Sequence, residues 1–319
     1  MLANASKLSL RVTRLTGIEE WLPGYFDYHI RFSVSGKEAA GRGTDADEAR
    51  AFLKAASEAV ERFACQGLDY PWASATHSDG KQAGFRAYRE LLGMDRAMCH
   101  HFTGTKLKLL ELSVLNNTRL ERFLRKACEK HGIKLQLCEM RPSADSVIAA
   151  AYAWNLDGRG LPGVLSGHGV ADSLPEASHQ ALIECLRKVG PIFINKRKPG
   201  DALTELRKSR SPWWHIWKMS MDPAGLAYLK NKLFTEDAQR NRFAREGISV
   251  EDVSLTEITG FKKIFPDVPC TVMQAYSDKL LRPQFGAAII DSAALTRLNA
   301  FCFPEKFEKL EMEIPHMYG

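Results

Sequence analysis

GRGTDADEARAFLKAASEAVERF, residues 41–63, is the stretch on which the reading of this 319-residue chain turns. Gly41 and Gly43 read as a tight turn. Behind them Ala49, Phe52, Leu53, Ala56, Val60 and Phe63 recur at helical spacing, so residues 45–66 read as a long amphipathic helix with Asp45 or Asp47 near its start. Ahead of them Phe26, Tyr28, Ile30, Phe32 and Val34 alternate with Asp27, His29, Arg31 and Ser33, the period of a half-buried strand, and Ser35-Gly36-Lys37 closes it with a turn. The unit is therefore strand, glycine turn, helix.

The unit occurs twice. Gly41, Gly43, Ala51, Ala55 and Glu58 share their spacing, without a gap, with Gly167, Gly169, Ala177, Ala181 and Glu184. Alanines four apart lie on one helix face and let that face approach a neighbour closely. Ala83, Ala87 and Glu90 form a weaker echo that lacks the leading glycines.

Working outward, helices are expected near 85–101, 107–130, 174–188 and 222–246, and strands near 134–138, 147–155, 164–165 and 270–275. This alternation gives a mixed α/β (α+β) class, with repeated strand-turn-helix units. One domain over 1–319 is expected, with a candidate subdomain break near 190–212. A formal charge of +6 is a mild bias that suits a nucleotide or an acidic protein partner and does not point to nucleic acid. The basic residues from Lys196 to Arg210 read as a solvated connection. No run approaches twenty apolar residues, so no membrane span is expected. Seven cysteines without a C-x-x-C pair argue against a zinc site or a disulfide framework and fit a reducing, cytoplasmic setting.

Glu58 and Glu61, three residues apart, project from one side of their helix, roughly opposite Phe52, Ala56 and Val60. Such a pair suits Mg²⁺, which takes one or two carboxylates and completes its shell with phosphate oxygens and water. The plain alternative is a solvated acidic face.

These residues resemble a known family. Gly41-Arg42-Gly43 followed by Ala55-Ala56-Ser57-Glu58-Ala59-Val60-Glu61-Arg62-Phe63 is similar to the G-K-G and A-x-x-E-A-x-E-R-[YF] signature of YcaO proteins. Ser78-Asp79-Gly80-Lys81-Gln82-Ala83-Gly84 resembles the family's S-N-G-x-A-A-G. The segment from Gly167 to Glu184 resembles its later G-x-G/A-L-x-E element, and Phe285-Gly286 its closing strand. The order is kept over roughly residues 25–290. The resemblance implies a YcaO-like fold around a central ATP cleft and ATP-dependent activation of a backbone amide in a ribosomally made precursor peptide, giving azolines, thioamides or amidines. It implies ATP and Mg²⁺ as cofactors, Glu58 and Glu61 as metal ligands, and Glu58, Glu61 and Glu184 as nucleotide-binding residues. Expected partners are the precursor peptide and a separate leader-binding protein; oligomeric state is left open.

The chain also departs from the pattern. The family's E-A and E-x-x-E-R set has no counterpart between Phe85 and Arg96, where Glu90 or Asp95 are the candidates to substitute. Gln180 stands where the family has arginine, and Arg187 and Lys188 stand at the second-copy positions of Glu61 and Arg62. The tail from Ile314 lacks the proline-rich end of azoline-forming members. A non-catalytic scaffold of the same fold that binds a partner or peptide is therefore the competing reading. Gly158 to Gly163 fits G-x-G-x-x-G but reads as a turn between strands. Cys99-His100-His101 and Trp213, Trp214 and Trp217 read as packing residues.

Overall fold

The computed structural model describes residues 8–68, 73–156, 163–195, 223–234, 243–284, 289–303 and residue 310. The expectations for Gly158 to Gly163, the basic run after Lys196, the three tryptophans, Phe285-Gly286 and the tail lie outside the described residues, almost wholly or entirely. Two compact units are present, Met1–Glu90 with Val253–Tyr276, and Leu91–Asp252 with Ser277–Gly319.

The first unit opens with an antiparallel sheet of β1 (Ser9–Arg14), β2 (Phe26–Val34) and β3 (Lys37–Asp45), in that order, covered by α1 (Glu48–Ala64). Asp47, one of the two residues expected at the helix start, is the N-cap, and its side chain accepts the Arg50 N–H at 2.9 Å. Ile30, Phe32 and Val34 point at α1 and pack with Ala55, Ala59, Phe63 and Phe261. A second sheet, β4 (Ala73–His77), β10 (Thr271–Tyr276) and β9 (Ser254–Glu257), adds Val272 to that core. The first turns of α2 (Gly80–Thr103) belong here too. Asp79 of the S-D-G segment caps them, accepting from Lys81 and Gln82 N–H at 2.7 and 3.1 Å.

The glycines correct the sequence reading. Gly41 and Gly43 lie inside β3, not in a turn, and neither has a positive φ. A β-carbon on Gly41 would fall under 3.0 Å from the Ala55 carbonyl and the Ala59 amide, and one on Gly43 would do the same at Ala51 and Ala55. The helix lies directly on the strand backbone, which only glycine on one side and alanine on the other permit. For that reason the buried stripe of α1 is Ala51, Ala55, Ala59 and Phe63, whereas Phe52, expected in the buried stripe, is 40% exposed.

In the second unit the sheet runs β5 (Lys108–Leu110), β6 (Ile133–Glu139), β7 (Val147–Asn155), β8 (Leu165–Ala171), all antiparallel. Helices α3 (Thr118–His131) and α4 (Leu174–Asn195) pack on it, and β7 is buried from Ile148 to Trp154. Gly167 and Gly169 repeat the first arrangement: they lie in β8, and added β-carbons would strike the Ala181 and Ala177 carbonyls of α4. The helix expected over 107–130 is instead a short strand, a 3-10 turn at Leu112–Leu115, and α3. The break falls at Asn116, which takes a left-handed conformation, and Asn117, whose side chain caps α3 through the Leu120 N–H at 3.0 Å. Of the helix expected over 222–246, the described part is α5 (Pro223–Tyr228) with a π turn at Leu229–Leu233, and residues 243–246 are not helical. The last helix among the described residues is α6 (Ser292–Cys302).

A buried ionic network ties α6 to α2. Arg297 donates to both oxygens of Asp95 at 2.9 and 2.6 Å, Arg96 also reaches Asp95, and Glu246 bridges Arg96 and Arg297 at 2.6 and 2.5 Å. Burial alone would raise the Asp95 carboxyl, yet Arg297 and Arg96 hold it below the usual carboxylate range. Cys99, His100 and His101 are all buried, as expected of packing residues. The His100 ring lies between Phe243 and Phe301, its Nε2 accepts from the Arg141 N–H at 3.1 Å, and burial pushes it down to about 3. All seven cysteines are free. Among the described residues, no helix is long and apolar enough to cross a membrane.

Candidate functional site

Among the described residues β3 is an edge strand, and the alternation of an antiparallel ladder leaves every second N–H on its outer side. The outward N–H of Arg42 donates to Glu58 Oε2 at 2.7 Å, and Arg62 Nη2 donates to Glu58 Oε1 at 2.5 Å. Glu58 is thus a strut between the strand and the last turn of α1. The Arg42 side chain reaches to the neighbouring strand β2, gripping the buried Asp27 in a fork that Thr44 completes at 3.0 Å.

The same strut stands in the second copy. His168 N–H donates to Glu184 Oε2 at 3.2 Å, and Lys188 Nζ donates to Glu184 Oε1 at 3.1 Å and to the Ser166 carbonyl at 2.9 Å. Lys188 therefore does what Arg62 does, and Gln180 accepts the next outward N–H, of Val170, at 3.3 Å. The environments differ in exposure: the Arg62 side chain is 57% exposed and that of Lys188 is 9%. Glu184→Ala is accordingly expected to cost about 2–3 kcal/mol, because it leaves a buried ammonium unpaired, and Glu58→Ala about 1 kcal/mol. Urea denaturation of the two variants measures the difference.

Glu61 is unlike either strut. Half-buried beside Glu58, it accepts a hydrogen bond from Ser74 Oγ at 2.9 Å, and Ser74 in turn accepts from Cys65 Sγ at 3.4 Å. Burial, together with the charges of Glu90 and Glu58 and against the Ser74 bond and Arg62, pushes its carboxyl up to about 8. The counterpart in α4 is Arg187, which reverses the charge. Glu184, by contrast, would be raised by burial, but Lys188, His168 and Arg187 hold it down to about 2. Burial and acidic neighbours favour the protonated carboxyl in one copy, and neighbouring cations favour the carboxylate in the other.

Of the residues singled out in the sequence, Glu58 and Glu61 are brought together on α1 in the first unit, and Glu184 stands on α4 in the second. Glu90 lies within electrostatic reach of Glu61. Asp95, in the second unit, is locked by two arginines and the Leu281 N–H at 2.7 Å, so it is not free to stand in as a metal ligand. Ser74 was not anticipated, since a lone serine in a short strand carries no spacing pattern. Carboxylates and a hydroxyl make an all-oxygen donor set, which fits a hard cation such as Mg²⁺. Among the described residues no three His, Cys, Asp or Glu side chains converge into a complete metal cage, so phosphate and water would have to fill the shell.

Neither a scan of family models nor a search of curated sequences finds a match. Solved structures do match. The YcaO protein from Methanopyrus kandleri, bound with AMPPCP and Mg²⁺, superposes with a TM-score of 0.59 at 11% identity, over 88% of this chain and 89% of that one. A heterocyclase in complex with substrate and cofactor superposes at 0.64 and 11% identity over 97% of this chain, which spans 55% of that longer protein. The E. coli microcin synthetase McbBCD complex contains a chain that matches at 0.55 and 10% identity, covering 89% and 90%. The fold of this chain is the YcaO fold, and its class is mixed α+β.

Proposed function

We propose that this YcaO-fold chain is an ATP- and Mg²⁺-using subunit that activates a backbone amide of a ribosomally made precursor peptide, beside a separate leader-binding protein, for azoline or thioamide formation. The observation that carries the reading is geometric: Glu61 is half-buried on α1 beside Glu58, with the Ser74 hydroxyl on one oxygen at 2.9 Å and Glu90 as a further charged neighbour. Glu61 and Glu58 are the metal ligands in this assignment, and bound Mg²⁺ supplies the charge that phosphoryl transfer to an amide oxygen requires. Glu61 would hold the cation as its carboxylate, and so in its deprotonated form. The Arg42 N–H fixes the direction of Glu58, and the oxygen that Glu58 would lend to the cation is the one now paired with the exposed Arg62. In the second unit Glu184 anchors Lys188 and the His168 amide, and its part in nucleotide binding rests on the family resemblance.

Support also comes from two solved proteins of this fold: one carries an ATP analogue with Mg²⁺ and another its substrate. The test is release of ADP or phosphate by the purified chain with its partner and precursor. The proposal expects peptide-dependent release that Glu61→Gln abolishes; release indifferent to that change, or none at all, rejects it.

A second reading, a non-catalytic scaffold, is favoured by one observation. Where the family carries a second acidic set, this chain offers Glu90, while Asp95 is consumed by the buried network. The readings part on melting curves. Mg·nucleotide at 100 times its Kd stabilises a binder by roughly 2.7 kcal/mol, whereas the scaffold gives a flat curve.

A further inference from the structure

We propose that the outer edge of β1 is a docking site for an extended segment of a partner polypeptide in which apolar and acidic residues alternate, joining the sheet as a fourth strand. Leu15 N–H donates to the Asp27 carbonyl at 2.8 Å, which fixes the phase of the β1–β2 ladder. By alternation the N–H and C=O groups of Leu10 and Val12 then point away from β2. Among the described residues no strand pairs with that side.

The two faces of the edge specify the occupant. Leu10 and Val12 stand opposite Phe32 and Ile30, on the face that α1 covers farther along the sheet, yet they are 59% and 43% exposed, and Leu8 is 57% exposed. Phe52 and Leu53 of α1 are exposed at 40% and 60%, so apolar surface is presented by both helix and sheet edge. On the other face Arg11 stands directly opposite Arg31, both exposed, and among the described residues no acidic side chain pairs with either. Like charges directly opposed across strands are unfavourable, and an acidic residue on an added strand relieves them. Self-pairing of two copies of β1 would gather the same arginines and worsen the repulsion. Charge therefore selects an acidic partner strand over a second copy, and the apolar face sets the alternation. Main-chain bonds to Leu10 and Val12 supply affinity in the manner of β-augmentation.

The experiment titrates the full chain into a fluorescein-labelled decapeptide of alternating Val and Glu, read by anisotropy, with a Val/Lys decapeptide as control. Binding is expected for Val/Glu and not for Val/Lys. Val12→Pro removes an outward N–H that the native ladder does not use, so the protein is expected to keep its melting temperature and lose binding at least tenfold. Arg11→Glu with Arg31→Glu is expected to reverse the preference between peptides. Equal binding by Val12→Pro, equal binding of the two peptides, no binding at millimolar Val/Glu peptide, or dimerisation through β1 in sedimentation would each overturn the proposal. None of these outcomes depends on the nucleotide site.

Discussion

Gly43→Ala and Gly169→Ala are each expected to cost at least about 3 kcal/mol and to leave much of the protein insoluble. The reasoning is steric. Overpacking against side chains costs typically 1–3 kcal/mol because neighbours can shift, but here the obstacle is helix backbone: the Ala51 carbonyl and Ala55 amide in one copy, the Ala177 carbonyl and Ala181 amide in the other. A methyl group can be seated only by lifting α1 off β3 or α4 off β8. Either movement also separates the strut, since Glu58 would leave the Arg42 N–H and Glu184 the His168 N–H. Native proteins hold only about 5–15 kcal/mol of net stability, so one such change consumes a large share. Gly247→Ala is the control, with nothing within 4 Å of its added β-carbon, and is expected to stay within about 0.5 kcal/mol. Soluble yield and urea midpoints of the three variants measure this; three equal midpoints would refute the close helix-on-strand packing.

Glu61→Gln should stabilise the protein in the absence of metal, and more so as pH rises. The folded carboxyl is raised from 4.5 to about 8, so between those values the folded state binds more proton than the unfolded state. Stability from this group is then fully present below pH 4.5 and is lost as pH rises through the folded value. Glutamine keeps the shape and cannot ionise. The expected difference in stability between Glu61→Gln and wild type is near zero at pH 5 and on the order of a few kcal/mol at pH 8.5. Thermal unfolding at pH 5, 7 and 8.5 reads it directly. A difference that stays constant with pH would mean that Glu61 ionises as an ordinary surface carboxylate.

What the sequence made legible follows from strict spacing. The repeat needed no gap, and it led to both alanine-faced helices and to the glutamates that bind strand to helix. The role of Gly41 and Gly43 was misassigned because isolated glycines suggest turns; their spacing of two, which places both on one face of a strand, was the available clue. The stripe was misassigned for a related reason. Phe52 and Val60 are more hydrophobic than Ala51 and Ala55, but only a methyl group fits against a glycine backbone, so size and not hydrophobicity chose the buried face. The break before α3 was missed inside the helix expected over 107–130; Asn116, a left-handed residue, and Asn117, a cap, were the available clue.

The acidic pair was legible as a pair and not as two different groups. Spacing put Glu58 and Glu61 on one side of α1, but it could not tell that one is a strut satisfied by Arg42 and Arg62 while the other is raised by burial. That distinction depends on β4, whose Ser74 approaches Glu61 from a strand with no pattern of its own. The fate of Asp95 was equally hidden, because its partner Arg297 lies 202 residues away in the chain.

Isothermal titration of a non-hydrolysable ATP analogue, with and without Mg²⁺, into wild type and Glu61→Gln at pH 7.5 bears most directly on the acidic side of α1 as a nucleotide–metal site. Wild type is expected to bind only with Mg²⁺ and to release a proton as it does, seen as a heat that changes with the buffer, while Glu61→Gln loses the metal-dependent binding at least tenfold. Binding that ignores Mg²⁺, or is equal in the variant, would contradict the assignment.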